Sequence, residues 1–87
     1  MATVLIPSLL RPLTAGQARV SATGKSVGQI IEALEAVYPG LKDRLCQGDQ
    51  LKPAVAVSVD GRLTRLGLLA PVQEQSEIHF LLAMAGG

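Results

Sequence analysis

Aromatic and sulfur-containing side chains are scarce in this sequence. It has one Phe, one Tyr, no Trp and one Cys among 87 residues, although 48% of its residues are hydrophobic. The core must therefore be built mainly from Val, Ile and Leu, and base stacking on aromatic rings is not expected. Because Cys46 is the sole cysteine, an intrachain disulfide and a multi-cysteine metal site are both excluded, and a reducing cytosol fits this usage.

Charge of either sign is also limited, since charged residues make up 17% of the chain and the formal net charge is +1. Five arginines are scattered among the seven acidic residues and form no basic stripe that would follow a phosphate backbone. They are Arg11, Arg19, Arg44, Arg62 and Arg65. We interpret them as solvated surface and predict no nucleic-acid partner.

Long apolar runs are absent as well. No stretch approaches the 18 or so residues of a membrane helix. Residues 1–7 lack the basic start of a signal peptide, and Pro7 interrupts them early. The short chain leaves no room for a separate catalytic domain. We therefore expect one soluble, cytoplasmic domain with no membrane partner.

Strand signals occur in both halves of the chain. Five stretches have the apolar content or the alternation that is typical of strands. They are residues 2–10, 18–22, 54–59, 62–64 and 77–82. A turn at residues 14–16 would join the first two into a hairpin, and Asp60-Gly61 is a dipeptide that favours a two-residue hairpin between the third and fourth. Residues 73–76 are polar and predict a turn before the last strand.

One helix is predicted between the second and third strands. Its apolar residues recur at helical spacing. They are Val27, Ile30, Ile31, Leu34, Val37 and Tyr38. Ser26 and Gln29 form a capping-box pattern at its start, and Pro39-Gly40 ends it. Residues 41–45 predict a short extra turn, residues 47–50 a loop, and residues 66–71 an irregular or helical turn that packs its leucines.

This order of elements predicts an α+β fold in which a mixed sheet covers one main helix, the ubiquitin-like β-grasp. In that fold the last strand is central and lies beside the first. Ile78, Phe80 and Leu82 would share its inner face, with His79 and Leu81 on the other. Leu5 and Leu81 would then be apolar groups on the outer sheet surface, either buried because the strand is central or available to a partner.

The sequence ends in Gly86-Gly87 after the apolar run Leu81–Ala85. At an average Gly usage of about 7%, chance places such a pair at about one C-terminus in two hundred. Glycine lets a backbone pass a constriction that would stop a side chain, and residues 83–87 can extend about 17 Å. We predict a β-grasp domain of residues 1–82 and a flexible tail of residues 83–87, whose reactive group is the carboxylate of Gly87. That carboxylate is an anion at neutral pH and needs ATP-dependent activation by a partner.

Several motifs carry a resemblance that covers nearly the whole chain. They are Ile6-Pro7-Ser8-Leu9-Leu10-Arg11, Tyr38-Pro39-Gly40, Arg44-Leu45 and Ala85-Gly86-Gly87. With the β-grasp pattern, they resemble the MoaD/ThiS family of sulfur-carrier proteins, and within it the carriers of cysteine biosynthesis. The chain departs from the family at residues 73–77, where an Asp-Gly-Asp-like turn is usual.

The resemblance implies a carrier that is a protein cosubstrate and not an enzyme. An E1-like adenylating enzyme would activate Gly87 with ATP, a sulfur source would convert it to a thiocarboxylate, and a pyridoxal-phosphate-dependent, cysteine-synthase-like enzyme would accept the sulfur. The carrier itself would need no cofactor and no metal. Partners would contact Leu5, Leu81 and the tail residues Ala83, Met84, Ala85 and Gly86.

Alternatives remain for both the pathway and the single residues. A small subunit of molybdopterin synthase would insert the same tail into a large subunit, a thiamine-pathway carrier is usually shorter, and a ubiquitin-like modifier would join Gly87 to a target lysine. Cys46 is interpreted as a small apolar filler, with a sulfur-relay thiol as the alternative. His79 is interpreted as solvent-facing, and Glu32 and Glu35 as a solvated face.

Overall fold

A computed structural model describes residues 1–83, which form a five-stranded mixed sheet packed against one main helix. The chain has seven strands: β1 Ala2–Leu5, β2 Arg19–Ala22, β3 Cys46–Gln47, β4 Gln50–Leu51, β5 Val55–Val59, β6 Arg62–Leu63 and β7 Glu77–Leu82 within residues 1–83. β3 and β4 pair with each other in a separate two-stranded sheet, and the other five form the main sheet. The sheet order is β2-β1-β7-β5-β6, with β7 parallel to β1 and antiparallel to β5. This topology confirms the predicted β-grasp and the central position of the last strand.

The first strand is shorter than predicted, because it ends at Leu5 and not at Leu10. Pro7, with φ −57° and ψ 148°, precedes a 3₁₀ helix at Ser8–Thr14 that replaces the rest of the strand. Proline has no amide hydrogen for a strand ladder. Leu10 still reaches the core from this helix, whereas Leu9 is exposed.

The turn predicted at residues 14–16 is confirmed, and the chain returns as β2. Ala15 and Gly16 both have positive φ angles, 54° and 82°. The buried Thr14 hydroxyl donates a hydrogen bond to the Gln17 carbonyl at 2.8 Å. The return places Val20 opposite Val4 in an antiparallel pair, as the hairpin prediction requires.

The predicted main helix is confirmed as α1, Val27–Val37, and the extra turn as α2, Leu41–Leu45. The Ser26 hydroxyl accepts the Gln29 amide at 3.2 Å, while the Gln29 side chain accepts the Lys25 amide at 2.9 Å. In a standard capping box the Gln29 side chain would accept the amide of Ser26 itself, so this second bond is shifted by one residue, to Lys25. The assignment of Val37 to the buried stripe is wrong: it is 67% exposed, because it lies at the edge of the stripe in the last helical turn.

Two connecting segments differ from their predictions. Residues 47–50, predicted as a loop, belong to the small β3–β4 hairpin. In the other segment a 3₁₀ helix forms at Gly67–Leu69, but Leu66 is 58% exposed and Leu69 is 81% exposed. The expectation that all these leucines pack is therefore wrong, since Leu68 alone packs partly against the core.

The core lies between α1 and the sheet and is almost entirely aliphatic, as the composition predicts. The largest fully buried side chains are Phe80, Ile30, Ile31, Leu34, Leu41, Leu45 and Ile78. Phe80 is the only phenylalanine in the chain. Within residues 1–83, no helix has the length and apolar character needed to cross a bilayer.

Candidate functional site

The candidate site is built on β7, the strand from which the chain continues toward Gly87. This strand is hydrogen-bonded to β1 on one side and to β5 on the other. Its last residue, Leu82, pairs with Val55, and the Ala83 amide still donates to the Ala54 carbonyl at 2.7 Å. The segment is therefore held by the sheet through Ala83, the first residue of the predicted tail.

The remaining tail residues with a predicted role lie outside the described residues. They are Met84, Ala85, Gly86 and Gly87. The reactive carboxylate of Gly87, the flexible tail and the domain boundary at residue 82 therefore stay predictions. What the structure adds is the direction of the strand and the surface that surrounds its end. We call the edge at which β7 ends the carboxyl end of the sheet, and the edge at which β7 begins the amino end.

Leu5 and Leu81, predicted as partner-binding residues, both lie on the face of the sheet that points away from α1. Leu81 is 38% exposed and sits opposite Ala56 in the β5–β7 ladder. Leu5 is half-buried and sits opposite His79 in the β1–β7 ladder. Since residues two positions apart on one strand share a face, Leu5 and Leu81 are diagonal neighbours on the outer face.

The strand registers align one row of side chains across all five strands of the outer face. The row consists of Arg19, Leu5, His79, Ser58 and Leu63. Leu63 is 69% exposed and was not predicted as a site residue. The Asp60-Gly61 turn could have revealed it, because a two-residue hairpin pairs Ser58 with Leu63. A row with an arginine at one end, a leucine at the other and polar side chains in its centre thus extends across the sheet.

A groove opens beside this row, between β5 and the segment that follows β6. Its lining includes the exposed Leu66 and Leu69 together with Val55 and Ala56. The Thr64 amide donates to the Val57 carbonyl at 3.1 Å and holds this segment against the strand. Asp49, Lys52 and Arg65 also line the groove, so apolar and charged side chains lie together at this end of the sheet.

The amino end of β7 is fixed by a hydrogen-bond network around Asp60. The Asp60 carboxylate accepts the Glu77 amide at 2.9 Å and the Ser76 hydroxyl at 2.8 Å. The Ser76 hydroxyl, almost completely buried, also accepts the Gln73 amide at 2.9 Å. These bonds, first the one from the Glu77 amide, lower the pKa of Asp60 below its ordinary value. The turn at residues 73–76 is therefore stabilised without the family's usual acidic turn.

Two other acidic residues differ in their surroundings. The Glu35 carboxylate accepts the amides of Lys42 at 2.8 Å and Gly40 at 3.1 Å, and these bonds lower its pKa. The interpretation of Glu35 as merely solvated is therefore wrong, because it caps the start of α2. Glu32 is exposed, as predicted, and forms a surface ion pair with Lys42.

The remaining candidate residues have structural surroundings. Cys46 is buried, which raises the pKa of its thiol, and this supports its interpretation as a small apolar filler. His79 is exposed on the outer face, as predicted. Arg11 is half-buried, and its Nε donates to the Ile6 carbonyl at 3.1 Å. Among residues 1–83, no group of three or more His, Cys, Asp or Glu side chains is placed to hold a metal ion.

Known proteins resemble this chain along almost its whole length. The model of the ThiS family matches residues 4–87. Proteins named sulfur carrier protein CysO from Mycobacterium bovis and Mycobacterium tuberculosis are 38% identical to the chain over 90 residues. The similarity covers 98% of this chain and 97% of each relative.

Solved structures agree with this similarity. A chain of the Amycolatopsis orientalis BexX/CysO complex superposes with a TM-score of 0.94 at 36% identity and covers 100% of both chains. The Mycobacterium tuberculosis CysO structure gives 0.89 at 35% identity, covering 97% of this chain and 100% of that chain. The small archaeal modifier protein 1 of Methanosarcina acetivorans gives 0.82 at 25% identity, covering 99% and 95% respectively.

Proposed function

This chain is a member of the ThiS family, and we propose that it is a sulfur carrier of the cysteine-biosynthesis branch, with sulfur bound as a thiocarboxylate at Gly87. The observation that carries the proposal is the full-length similarity to sulfur carriers named CysO. The chain is a small carrier and not a catalyst. Its similarity to a CysO chain solved in complex with BexX supports a protein partner.

The proposed cycle begins with activation of the carboxylate. An E1-like adenylating enzyme joins the Gly87 carboxylate to AMP and releases pyrophosphate from ATP. A sulfur source then displaces AMP and leaves a thiocarboxylate. The carboxylate needs this activation because it is an anion at neutral pH and a poor electrophile. ATP is thus a substrate of the activating partner and not a cofactor of the carrier.

The second half of the cycle transfers the sulfur. On a pyridoxal-phosphate-dependent, cysteine-synthase-like partner, the thiocarboxylate sulfur takes the place of the activating group of a serine derivative, which leaves as an anion, and a thioester between Gly87 and the new cysteine sulfur results. An S-to-N acyl shift converts the thioester to an amide, so that a whole cysteine is attached to Gly87. A peptidase then releases it. The carrier contributes a deliverable terminus and a docking surface in each step.

The sheet supports delivery of the terminus by its geometry. β7 is central, paired on both sides, and its pairing extends to Ala83. A strand held in this way has little freedom to tilt, because both ladders would have to break. The exposed part of Leu81 and the half-buried Leu5 lie on the outer face of the same region. Both are candidates for contact with the partners.

The test of this proposal follows the mass of the terminus. The protein is incubated with the adenylating enzyme of the same organism, ATP and sulfide. We expect the mass change of one oxygen-to-sulfur replacement, which tandem mass spectrometry assigns to Gly87. Cys46→Ser is the matched control and should gain the same mass. A replacement assigned to Cys46, or none at all, would contradict the proposal.

The same material separates the branches. With the cysteine-synthase-like partner and an activated serine, we expect a cysteine adduct on Gly87. Sulfur transfer to a pterin precursor, with no cysteine adduct, would instead assign the chain to molybdopterin synthesis. The similarity to a small archaeal modifier protein supports one more candidate, a protein modifier. An isopeptide bond to a target lysine would favour that candidate.

A further inference from the structure

The last described residue of the chain lies next to the groove between β5 and the segment that follows β6. The Ala83 amide donates to the Ala54 carbonyl at 2.7 Å, and the two neighbours of Ala54 in the sequence, Pro53 and Val55, both line the groove. The groove has a volume of about 580 Å³, which is within the range of about 300–1,000 Å³ that is usual for ligand sites. The chain therefore leaves the sheet beside a cavity that can hold a short peptide.

The groove is open because β5 has only a short neighbour on this side. β6 pairs with Ser58 and Val59, so that, within residues 1–83, no strand flanks the first half of β5 at this edge. After Thr64 the chain forms the 3₁₀ helix Gly67–Leu69 and does not continue the strand. The space between this helix and the beginning of β5 is left free for an added segment.

The side chains that line the groove define what fits into it. Leu66 and Leu69 are 58% and 81% exposed, and covering such apolar surface is favourable. Lys52 and Arg65 carry two positive charges and Asp49 carries one negative charge, so these side chains leave a formal net charge of +1. A fitting occupant is therefore a short apolar segment that carries one negative charge.

The four residues that follow Ala83 have this chemistry. Met84 and Ala85 are apolar, two glycines follow, and the chain ends in a carboxylate that is an anion at neutral pH. At about 3.3 Å per residue, four residues can span about 13 Å, whereas neighbouring strands lie only about 4.8 Å apart. This length is sufficient to cross the beginning of β5 and to bring the carboxylate to Lys52, which lies two positions before Ala54.

We propose that this groove binds the chain's own C-terminal segment, residues 84–87, in the carrier that has no partner, with the terminal carboxylate paired to Lys52. The tail of the same molecule is the occupant, because so short a link gives it an effective concentration of about millimolar or more. The bound tail would cover the group that the proposed function needs, so an activating partner must first displace it. The inference goes beyond the proposed function, and its first test needs no partner.

The first experiment joins carboxylates to amines that are in direct contact. The full-length carrier alone, in dilute solution, is treated with a water-soluble carbodiimide, which removes one water from a contacting pair and leaves an amide bond. We expect tandem mass spectrometry of the monomer to show the Gly87 carboxylate joined to Nζ of Lys52, in preference to the other two lysines, Lys25 and Lys42. The ion pair of Lys42 with Glu32 should give its own link and is the internal positive control.

A double variant distinguishes a bound tail from one that is merely tethered near Lys52. Leu66→Ser/Leu69→Ser removes the apolar lining but keeps the lysine, and we expect the yield of the link to Lys52 to fall at least about threefold. The matched control is Leu9→Ser/Val37→Ser, because these residues are 58% and 67% exposed and do not line the groove. Its yield should equal that of the parent, and circular dichroism melts check that both variants fold.

The second experiment measures the effect on activation and rests on the proposed function. Pyrophosphate exchange with the adenylating enzyme of the same organism gives the KM for the carrier. A tail that occupies the groove in about two of three free molecules raises this KM about threefold. Leu66→Ser/Leu69→Ser should therefore lower the KM by about this factor with kcat unchanged, whereas Leu9→Ser/Val37→Ser should keep the KM of the parent.

The outcomes separate this inference from the proposed function. A link between Glu32 and Lys42 without one between Gly87 and Lys52 would overturn the inference, and so would equal yields in the parent and the groove variant. A link found only in covalent dimers would assign the groove to the tail of a second copy instead. A KM that stays the same or rises in the groove variant would refute the competition with activation. If the parent is not adenylated at all, the proposed function alone fails, because the carbodiimide result does not depend on it.

Discussion

The two faces of β7 differ although they alternate along the same six residues. Ile78 and Phe80 point inward and are at most 1% exposed, whereas His79 and Leu81 point outward and remain accessible. The inner residues contact the aliphatic core and hold the sheet on α1. The outer residues contribute to a surface that surrounds the end of the strand. A single strand thus divides its side chains between the core and the accessible surface by their alternation.

The largest effect is expected on the inner face. Phe80→Ala removes the largest fully buried side chain and should lower the free energy of unfolding by about 3–5 kcal/mol. Urea denaturation followed by circular dichroism measures this loss. His79→Ala, on the neighbouring outward position, is the control and should change stability by no more than about 0.5 kcal/mol. Similar losses of unfolding free energy for both variants would show that the two faces of β7 contribute equally to stability.

On the outer face the expected effect is on binding. Leu81→Asp places a charge on an exposed position, so the free energy of unfolding should fall by less than about 1 kcal/mol. Adenylation of Gly87 should nevertheless require about a tenfold higher carrier concentration, since a desolvated charge opposes docking. The KM for the carrier is measured by pyrophosphate exchange with the adenylating enzyme. An unchanged KM would show that the partners do not cover Leu81.

The pH dependence of thermal stability tests the role of the Asp60 carboxylate, which lies at the amino end of the sheet. Its folded-state pKa is lowered by the Glu77 amide and the Ser76 hydroxyl, so its ionised form stabilises the fold at pH values above the unfolded pKa of about 4. This contribution disappears as the pH falls through the folded-state pKa. Asp60→Asn should therefore lower the Tm at pH 7, and the difference from the parent should shrink as the pH falls through the lowered folded-state pKa of Asp60.

The Asp60 measurement is a set of thermal melts across this pH range. Asp49→Asn is a suitable control, because Asp49 is an exposed acid in the β3–β4 turn. Its substitution should leave the Tm and its pH dependence nearly unchanged. A difference between Asp60→Asn and the parent that grows on acidification would contradict the assigned role of the ionised carboxylate.

The smallest effect is expected at Glu32. Its ion pair with Lys42 joins two solvent-accessible side chains, and such pairs contribute about 0–1 kcal/mol. Glu32→Ala should leave the melting transition almost unchanged. A large loss of stability, measured by the same urea denaturation as Phe80→Ala, would mean that the exposed face of α1 contributes to the fold as strongly as the inner face of β7.

Much of the architecture could be predicted because local signals agreed with the final contacts. Ser26 caps α1, Asp60-Gly61 makes the β5–β6 hairpin, and the apolar–polar alternation of β7 identified its two faces. Each of these signals acts within a few residues, so the sequence pattern contains its physical cause. The same holds for Leu5 and Leu81, which alternation placed on the outer face.

Where local signals were ambiguous, predictions were wrong. Residues 2–10 are predominantly apolar, so their composition does not mark the point at which the strand ends and the 3₁₀ helix begins. Leu66 and Leu69 look like core residues by composition, yet they are exposed. Apolar character shows what a side chain would gain by burial, not whether a partner surface is within reach.

The sequence by itself determined the aliphatic core, the capped helix, the two faces of β7 and the Gly86-Gly87 ending, because each depends on composition or on spacing of a few residues. Only the tertiary structure decided that Lys52 and Arg65 line one groove, that Leu63 joins Leu5 in one row, and that Asp60 bonds to Ser76. These relations join residues far apart in the chain. They depend on which strands become neighbours, and that pairing is a property of the whole sheet.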